Sequence, residues 1–193
     1  MKFVAAGLVR PLPFQAPTPT ILATLHVTCA RLLLAVVALC VSAVLPARAQ
    51  APSASERDVI ATVQRIFDAM AACDAATIRT LTVAEGRLFR LVPGAAAGPR
   101  SSSLDEFGQQ FTTCSRRVLE RMWDPQVRVH EDIATVWAPY DFWLNGAFSH
   151  CGIDSFELAR TAAGWKLTGG IYTVEKEGCA PSPLGPPSTK EER

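Results

Sequence analysis

The sequence predicts an α+β domain in which helices are gathered ahead of an antiparallel meander of strands. Two observations carry this expectation. Apolar residues recur at helical spacing between about residues 55 and 111, and from Asp124-Pro125 onward the period becomes two. Hairpin signals then fall at Glu131-Asp132, Asn145-Gly146 and Thr161 to Gly164. Helices and strands segregated in this way place the helices on one face of a curved sheet.

Each element has its own local reason. Ser55 with Asp58 three residues on resembles a capping box, and Val59, Ile60, Val63, Ile66, Phe67 and Met70 form the apolar stripe of a helix over about Glu56 to Ala72. Asp74 is a good N-cap for a short second helix with Ile78 and Leu81 inward. Arg87 to Val92 reads as a short strand stopped by Pro93-Gly94, and the small residues from Gly94 to Ser103 read as a loop. Ser103 opens a third helix that turns Leu104, Phe107 and Phe111 inward. Arg116, Arg117 and Arg121 are expected on a helix end as a solvated, dipole-compatible cluster. Strands follow over Gln126 to His130, Ile133 to Leu144, Ala147 to Arg160 and Trp165 to Lys176.

The ends lie outside this pattern. A basic, acid-free lead, an apolar run from Leu32 to Leu45 and Ala47-Arg48-Ala49 before Gln50 read as a secretory signal peptide over residues 1–49. The apolar run falls short of the roughly 20 residues that a transmembrane helix needs, so no membrane association is expected after cleavage. The tail from 180 to 193, rich in proline and poor in residues to bury, reads as disordered. The remaining chain is one domain, with 15 basic against 18 acidic residues, and no basic patch points to nucleic acid. It keeps Cys73, Cys114, Cys151 and Cys179, an even number that in an exported chain favours disulfides. Three full pairings are open, and a bridge involving Cys179 is expected because it would pin the chain after its last strand. Wide cysteine spacing and only His130 and His150 in the domain argue against a metal site, and no phosphate loop, dinucleotide fingerprint or G-x-S-x-G is present. No cofactor is expected.

The Asn145-Gly146 pair favours a two-residue type I′ turn and so sets a register. Counting outward, Trp143 faces Phe148, Asp141 faces His150, and Trp137 faces Asp154, all on one side of the sheet. A carboxylate that orients an imidazole raises the basicity of its other nitrogen, so His150 and Asp141 form a candidate base and orienter. A structural hydrogen bond near the hairpin end is the alternative. With a longer turn the parity shifts, and Tyr140 replaces Asp141 beside His150. Asp154 lies about 13 Å from His150 along an ideal strand. It is a candidate second carboxylate, or an anchor, and apolar neighbours would raise its pKa. Trp137, Tyr140 and Tyr172 are candidate ligand-binding residues.

Taken in order, Asp74, Ser103-Leu104-Asp105-Glu106-Phe107, Ile133 to Tyr140, Phe148 to Phe156, Gly164-Trp165-Lys166-Leu167 and Tyr172-Thr173-Val174 resemble the nuclear transport factor 2-like superfamily. Within it the likeness is to the SnoaL-like and so-called lumazine-binding bacterial proteins. The resemblance spans about Ser55 to Cys179. It implies a cone-shaped α+β barrel in which about three N-terminal helices pack on a strongly curved, mainly antiparallel sheet around a pocket. It implies less about chemistry, because the superfamily includes isomerases, dehydratases, cyclases and proteins without known activity. The expected function is an exported small-molecule-binding protein, with a small organic ligand as partner. A cofactor-independent enzyme of proton-transfer type and a structural module with a closed pocket are the alternatives, and a homodimer is compatible with either.

Overall fold

The computed structural model describes residues 51–187, so the expected signal peptide and the last six residues lie outside the described residues. The first helix, α1 (Ala54–Ala71), starts at Ser53, whose Oγ accepts the Glu56 N–H at 3.2 Å while Glu56 Oε2 accepts the Ser53 N–H at 2.6 Å. The expected box two residues later does not form at the cap, because Asp58 lacks the length with which a glutamate reaches back to the cap N–H. Asp74 does cap α2 (Ala75–Leu81), accepting from the Thr77 N–H. Ser103 and Glu106 build a second reciprocal box on α3 (Leu104–Gln109).

Seven strands complete the domain: β1 (Thr82–Leu91), β2 (Arg100–Ser103), β3 (Val118–Met122), β4 (Gln126–His130), β5 (Ile133–Leu144), β6 (Ala147–Thr161) and β7 (Gly164–Thr173). They form one curved, unclosed sheet in the order β2-β1-β7-β6-β5-β3, with β4 on the far half of β5. Only β1 and β7 run parallel; the other pairs are antiparallel. Three strands differ from expectation, and the first is β1, which begins directly after α2 at Thr82 rather than at Arg87. The serine-rich end of the predicted loop becomes β2, because its backbone groups find partners on the edge of β1. The arginines placed on a helix end instead flank or enter β3, whose alternation sends Val118, Glu120 and Met122 one way and Leu119 and Arg121 the other.

The core lies between α1 and the inner face of the sheet. Val59, Val63, Ile66, Phe67 and Met70 from the helix meet Val136, Ala138, Phe156, Leu158 and Leu167 from the strands. Phe67 and Phe156 pack edge to face with ring centroids 6.3 Å apart.

The strand pair β5–β6 overturns the register expected from the Asn-Gly turn. Leu144 pairs with Ala147 and Trp143 with Phe148 as predicted, but Phe142 then pairs with His150, leaving Ser149 as an extra residue in β6. This is a β-bulge, and it shifts every later pair by one. Asp141 therefore pairs with Cys151, Tyr140 with Gly152 and Ala138 with Asp154. The bulge, rather than a longer turn, brings Tyr140 beside His150.

Gly152 is required by this packing. The Tyr140 ring lies over it, and the phenol donates a 2.6 Å hydrogen bond to the Thr173 carbonyl. A Cβ at position 152 would collide with that carbonyl, with Thr173 Oγ1 and with Tyr140 Cε1. Two disulfides close the domain. Cys73–Cys114 ties the α1–α2 junction to the chain after α3, and Cys151–Cys179 ties β6 to the chain beyond β7. The tail expected to be disordered is described as far as 187, and the Gly185 carbonyl accepts a hydrogen bond from Arg121 at 2.9 Å.

Gly152→Ala should destabilise the domain by about 1–3 kcal/mol, the cost of overpacking a filled site, seen as a lower denaturant midpoint. Non-reducing peptide mapping should recover Cys73 linked to Cys114 and Cys151 linked to Cys179.

Candidate functional site

The bulge decides which polar groups look inward. Residues opposite one another across β3, β5 and β6 form a row of Glu120, Phe142 and His150. Across β1, β7, β6 and β5 a second row holds Arg90, Tyr172, Asp154 and Ala138. Apart from Ala138, all of these side chains line a cavity of about 440 Å³ between α1 and the sheet, at the small end of the roughly 300–1,000 Å³ usual for organic ligands. Val63, Phe67, Leu88, Phe156 and Leu167 make its apolar wall.

The six sequence-predicted site residues divide between the two faces. His150, Asp154, Tyr140 and Tyr172 line the cavity. Trp137 does not: it pairs with Ser155 and is 51% exposed on the outer face, because the bulge puts it on the opposite parity from Asp154. Asp141 is the sixth, and it too is turned outward. Arg121 holds it in a two-pronged ion pair, Nε to Oδ1 at 2.9 Å and Nη2 to Oδ2 at 2.5 Å. Trp143 and the Cys151–Cys179 disulfide border the same outer groove. Asp141 therefore does not orient His150.

In its place stands Ser149. As the extra residue of the bulge it shares the cavity side with His150, and its Oγ lies 3.0 Å from Nδ1. The imidazole stacks on Phe142 with centroids 4.8 Å apart and meets the Tyr140 ring edge-on at 5.8 Å. Burial lowers its pKa, and the charges of Arg90 and Lys176 lower it further, so His150 is neutral near pH 7.

The residue that sequence reasoning missed is Glu120. Its carboxyl is hydrogen-bonded to that of Asp154, which is only 1% exposed. Burial, then the charge of Glu120, then the hydrogen bond donated to it push Asp154 well above the carboxylate range. One of its oxygens, Oδ2, is buried with no hydrogen-bond partner, an environment that suits the acid and not the anion. Burial pushes Glu120 up to about 7; the hydrogen bond from Asp154 opposes this and the charge of Asp141 adds to it. Two carboxyls in contact cannot both ionise cheaply, so Asp154 keeps its proton at neutral pH while Glu120 is ionised in part. Tyr140 and Tyr172 are raised by burial and by the same carboxyls, so both remain phenols that donate. A glutamate between leucine and arginine in Val118 to Trp123 gave one signal, an acid within an apolar-rich run, but only a strand assignment there would have used it.

Among the described residues, no group of three or more His, Cys, Asp or Glu is placed to hold a metal ion, and no helix is long and apolar enough to cross a membrane.

No protein-family model and no curated protein sequence matches the chain. Solved structures do. A nuclear transport factor 2-like protein from Cytophaga hutchinsonii superposes with a TM-score of 0.51 at 14% identity, covering 62% of this chain and 98% of its own. A nuclear transport factor 2-like superfamily protein from Salmonella enterica serovar Typhimurium gives 0.50 at 14% identity, with 64% and 93% covered. A Streptomyces avermitilis protein of the same family, provisionally called a dehydratase, gives 0.50 at 18% identity, with 61% and 94% covered. The domain has the nuclear transport factor 2-like α+β fold.

The carboxyl pair has a consequence for stability. Between about pH 4.5 and 7 the folded domain retains a proton that an unfolded Glu120 has already lost, so this group makes the fold less stable as pH rises through that window. Glu120→Gln should remove this group's part of the slope, leaving the part that the buried Asp154 contributes. Melting temperatures of wild type and variant, compared from pH 5 to pH 8, should diverge in the variant's favour as pH rises.

Proposed function

We propose that the domain binds a small, partly apolar organic molecule in the cavity beneath α1 and that the Glu120–Asp154 pair transfers a proton on it. The observation that carries this reading is a buried pair of hydrogen-bonded carboxyls, both raised in pKa, on the wall of a cavity large enough for a ligand. Ionised Glu120 accepts a proton from one position of the ligand, and protonated Asp154 donates its own to another. The pair then relays the proton back, so an isomerisation needs no cofactor and leaves the enzyme unchanged. A pKa near 7 keeps Glu120 a base strong enough to act and still ionised in part at neutral pH. Tyr172, a phenol held in the same cavity, is available to donate to a ligand oxygen as charge develops there.

The provisional dehydratase name of the Streptomyces avermitilis neighbour is in keeping with proton-transfer chemistry in this fold. The SnoaL-like likeness of the sequence points in the same direction. Export is part of the proposal: the leader pattern at residues 1–49 and two disulfides in the domain both favour an oxidising compartment outside the cytoplasm.

The test pairs binding with exchange. Ligands found by thermal shift should be bound by wild type and lost in Val63→Trp, which fills the cavity. Bound carbonyl compounds should exchange acidic C–H hydrogens with D2O, followed by NMR. Asp154→Asn and Glu120→Gln should each slow that exchange by about 100- to 10,000-fold while the proteins remain folded. Exchange that persists in both variants would refute the assigned role of the pair.

A further inference from the structure

The cavity has a second polar feature that proton transfer does not use. Arg90, Arg116 and Lys176 all line it, and their exposure places them at its mouth: Arg116 and Lys176 are exposed, while Arg90 is half-buried. Among the described residues, the only acids lining the cavity are Glu120 and Asp154, which are hydrogen-bonded to each other. Glu175, next to Lys176 in sequence, is turned to Thr173, whose Oγ1 donates to its Oε1 at 2.9 Å.

Arg90 is the informative member. Arg121 has Asp141, Arg160 has Asp132 and Ser55, Arg87 has Ser101 and Arg57 has the Pro52 carbonyl, while Arg65, Arg79, Arg100, Arg116 and Arg128 are exposed to water. Among the described residues, Arg90 has no hydrogen bond or ion pair, although it sits in the same cross-strand row as Tyr172 and Asp154. A half-buried guanidinium with five donors and no acceptor is poorly compensated, and a planar anion is the group its fork fits best.

We propose that the ligand of this cavity is an organic carboxylate, held at the mouth by Arg90 with Lys176 and Arg116, with its apolar body directed toward Phe67, Leu88 and Phe156. This deepens the binding reading above and rests on it. It also orders the ligand along the cavity: the carboxylate lies at the cationic mouth, the middle passes His150, Phe142 and Tyr172, and the atoms that reach Glu120 and Asp154 lie inward of the head group. A neutral His150 along this middle stretch adds no charge of its own but can donate or accept through Nε2.

A matched pair of probes decides it: 2-naphthoate and 2-naphthamide, which share an apolar body and differ in charge. Calorimetry at pH 8 with the full mature chain should show the acid binding about tenfold or more tightly than the amide, the range that charge-assisted hydrogen bonds supply. The acid:amide ratio should fall toward one in Arg90→Gln and shrink in Lys176→Gln, whose exposed site makes misfolding no explanation. Raising salt from roughly 50 to 500 mM should weaken the acid alone, because screening acts on the charged contact. Equal affinity for both probes in wild type would overturn the carboxylate assignment while leaving small-molecule binding intact. The same ratio in wild type and both variants would overturn the role of these cations. Binding of neither probe would count against both the carboxylate and the underlying cavity reading.

Discussion

The pairing of β5 with β6 is the constraint from which the cavity follows. These are the longest strands, and together they carry the largest part of both faces of the sheet. Near the turn their register is the one Asn145-Gly146 dictates; beyond Ser149 it is offset by one residue, and the offset persists to the far end of the pair. Because side chains alternate, that offset places His150 and Asp154 on the wall facing α1 and leaves Asp141 and Trp137 on the other. The position of β3 on the outer edge of β5 then brings Glu120 within reach of Asp154. Among the described residues, no helix contributes a charged group to this wall; the helices supply its apolar cover.

The sheet thereby separates two kinds of electrostatics only a few ångströms apart. On the outer face, Asp141 has an opposite charge in bidentate contact, and the ion pair is complete in itself. On the inner face, among the described residues, two acids meet with no cation bonded to either, and three cations line the mouth without an acid bonded to them. Outer charges are arranged as folding alone would arrange them. Inner charges are arranged at a cost to folding, which is the usual mark of groups retained for what they do to a ligand. Disulfides at both ends of the domain are a natural offset for that cost, since they limit the freedom of the unfolded chain.

Much of this was legible in the sequence. The helical stripe of α1, the caps at Asp74 and Ser103, the Asn-Gly turn and the bounds of β4 and β5 follow from local chemistry that tertiary contacts did not overrule. His150, Asp154, Tyr140 and Tyr172, polar groups in an apolar-rich sequence, line the cavity. Their partners were not, for two physical reasons. A bulge has no fixed sequence signature, so period-two counting from a turn inverts every residue past it, as it did for Asp141 and Trp137. Short strands such as Val118–Met122 owe their conformation to the edge they join, so Glu120 could not be assigned a face before its neighbour β5 was placed. Arg90 was read only as part of a strand, since an unpaired cation is recognised by what surrounds it in space.

Ser149 also bears on how this chain tolerates changes of length. A residue gained or lost inside a paired strand ordinarily turns all later side chains to the wrong face, which is why insertions and deletions collect in loops. At Ser149 that rule is suspended. Phe148 and His150 already occupy positions that would be consecutive in an unbulged strand, Phe148 against Trp143 and His150 against Phe142. Loss of one codon here would smooth the strand without moving Asp154, Cys151 or the turn. The change would be confined to the hydroxyl beside His150 Nδ1. Related chains one residue shorter at this point can thus keep the whole framework and differ in a single proton contact.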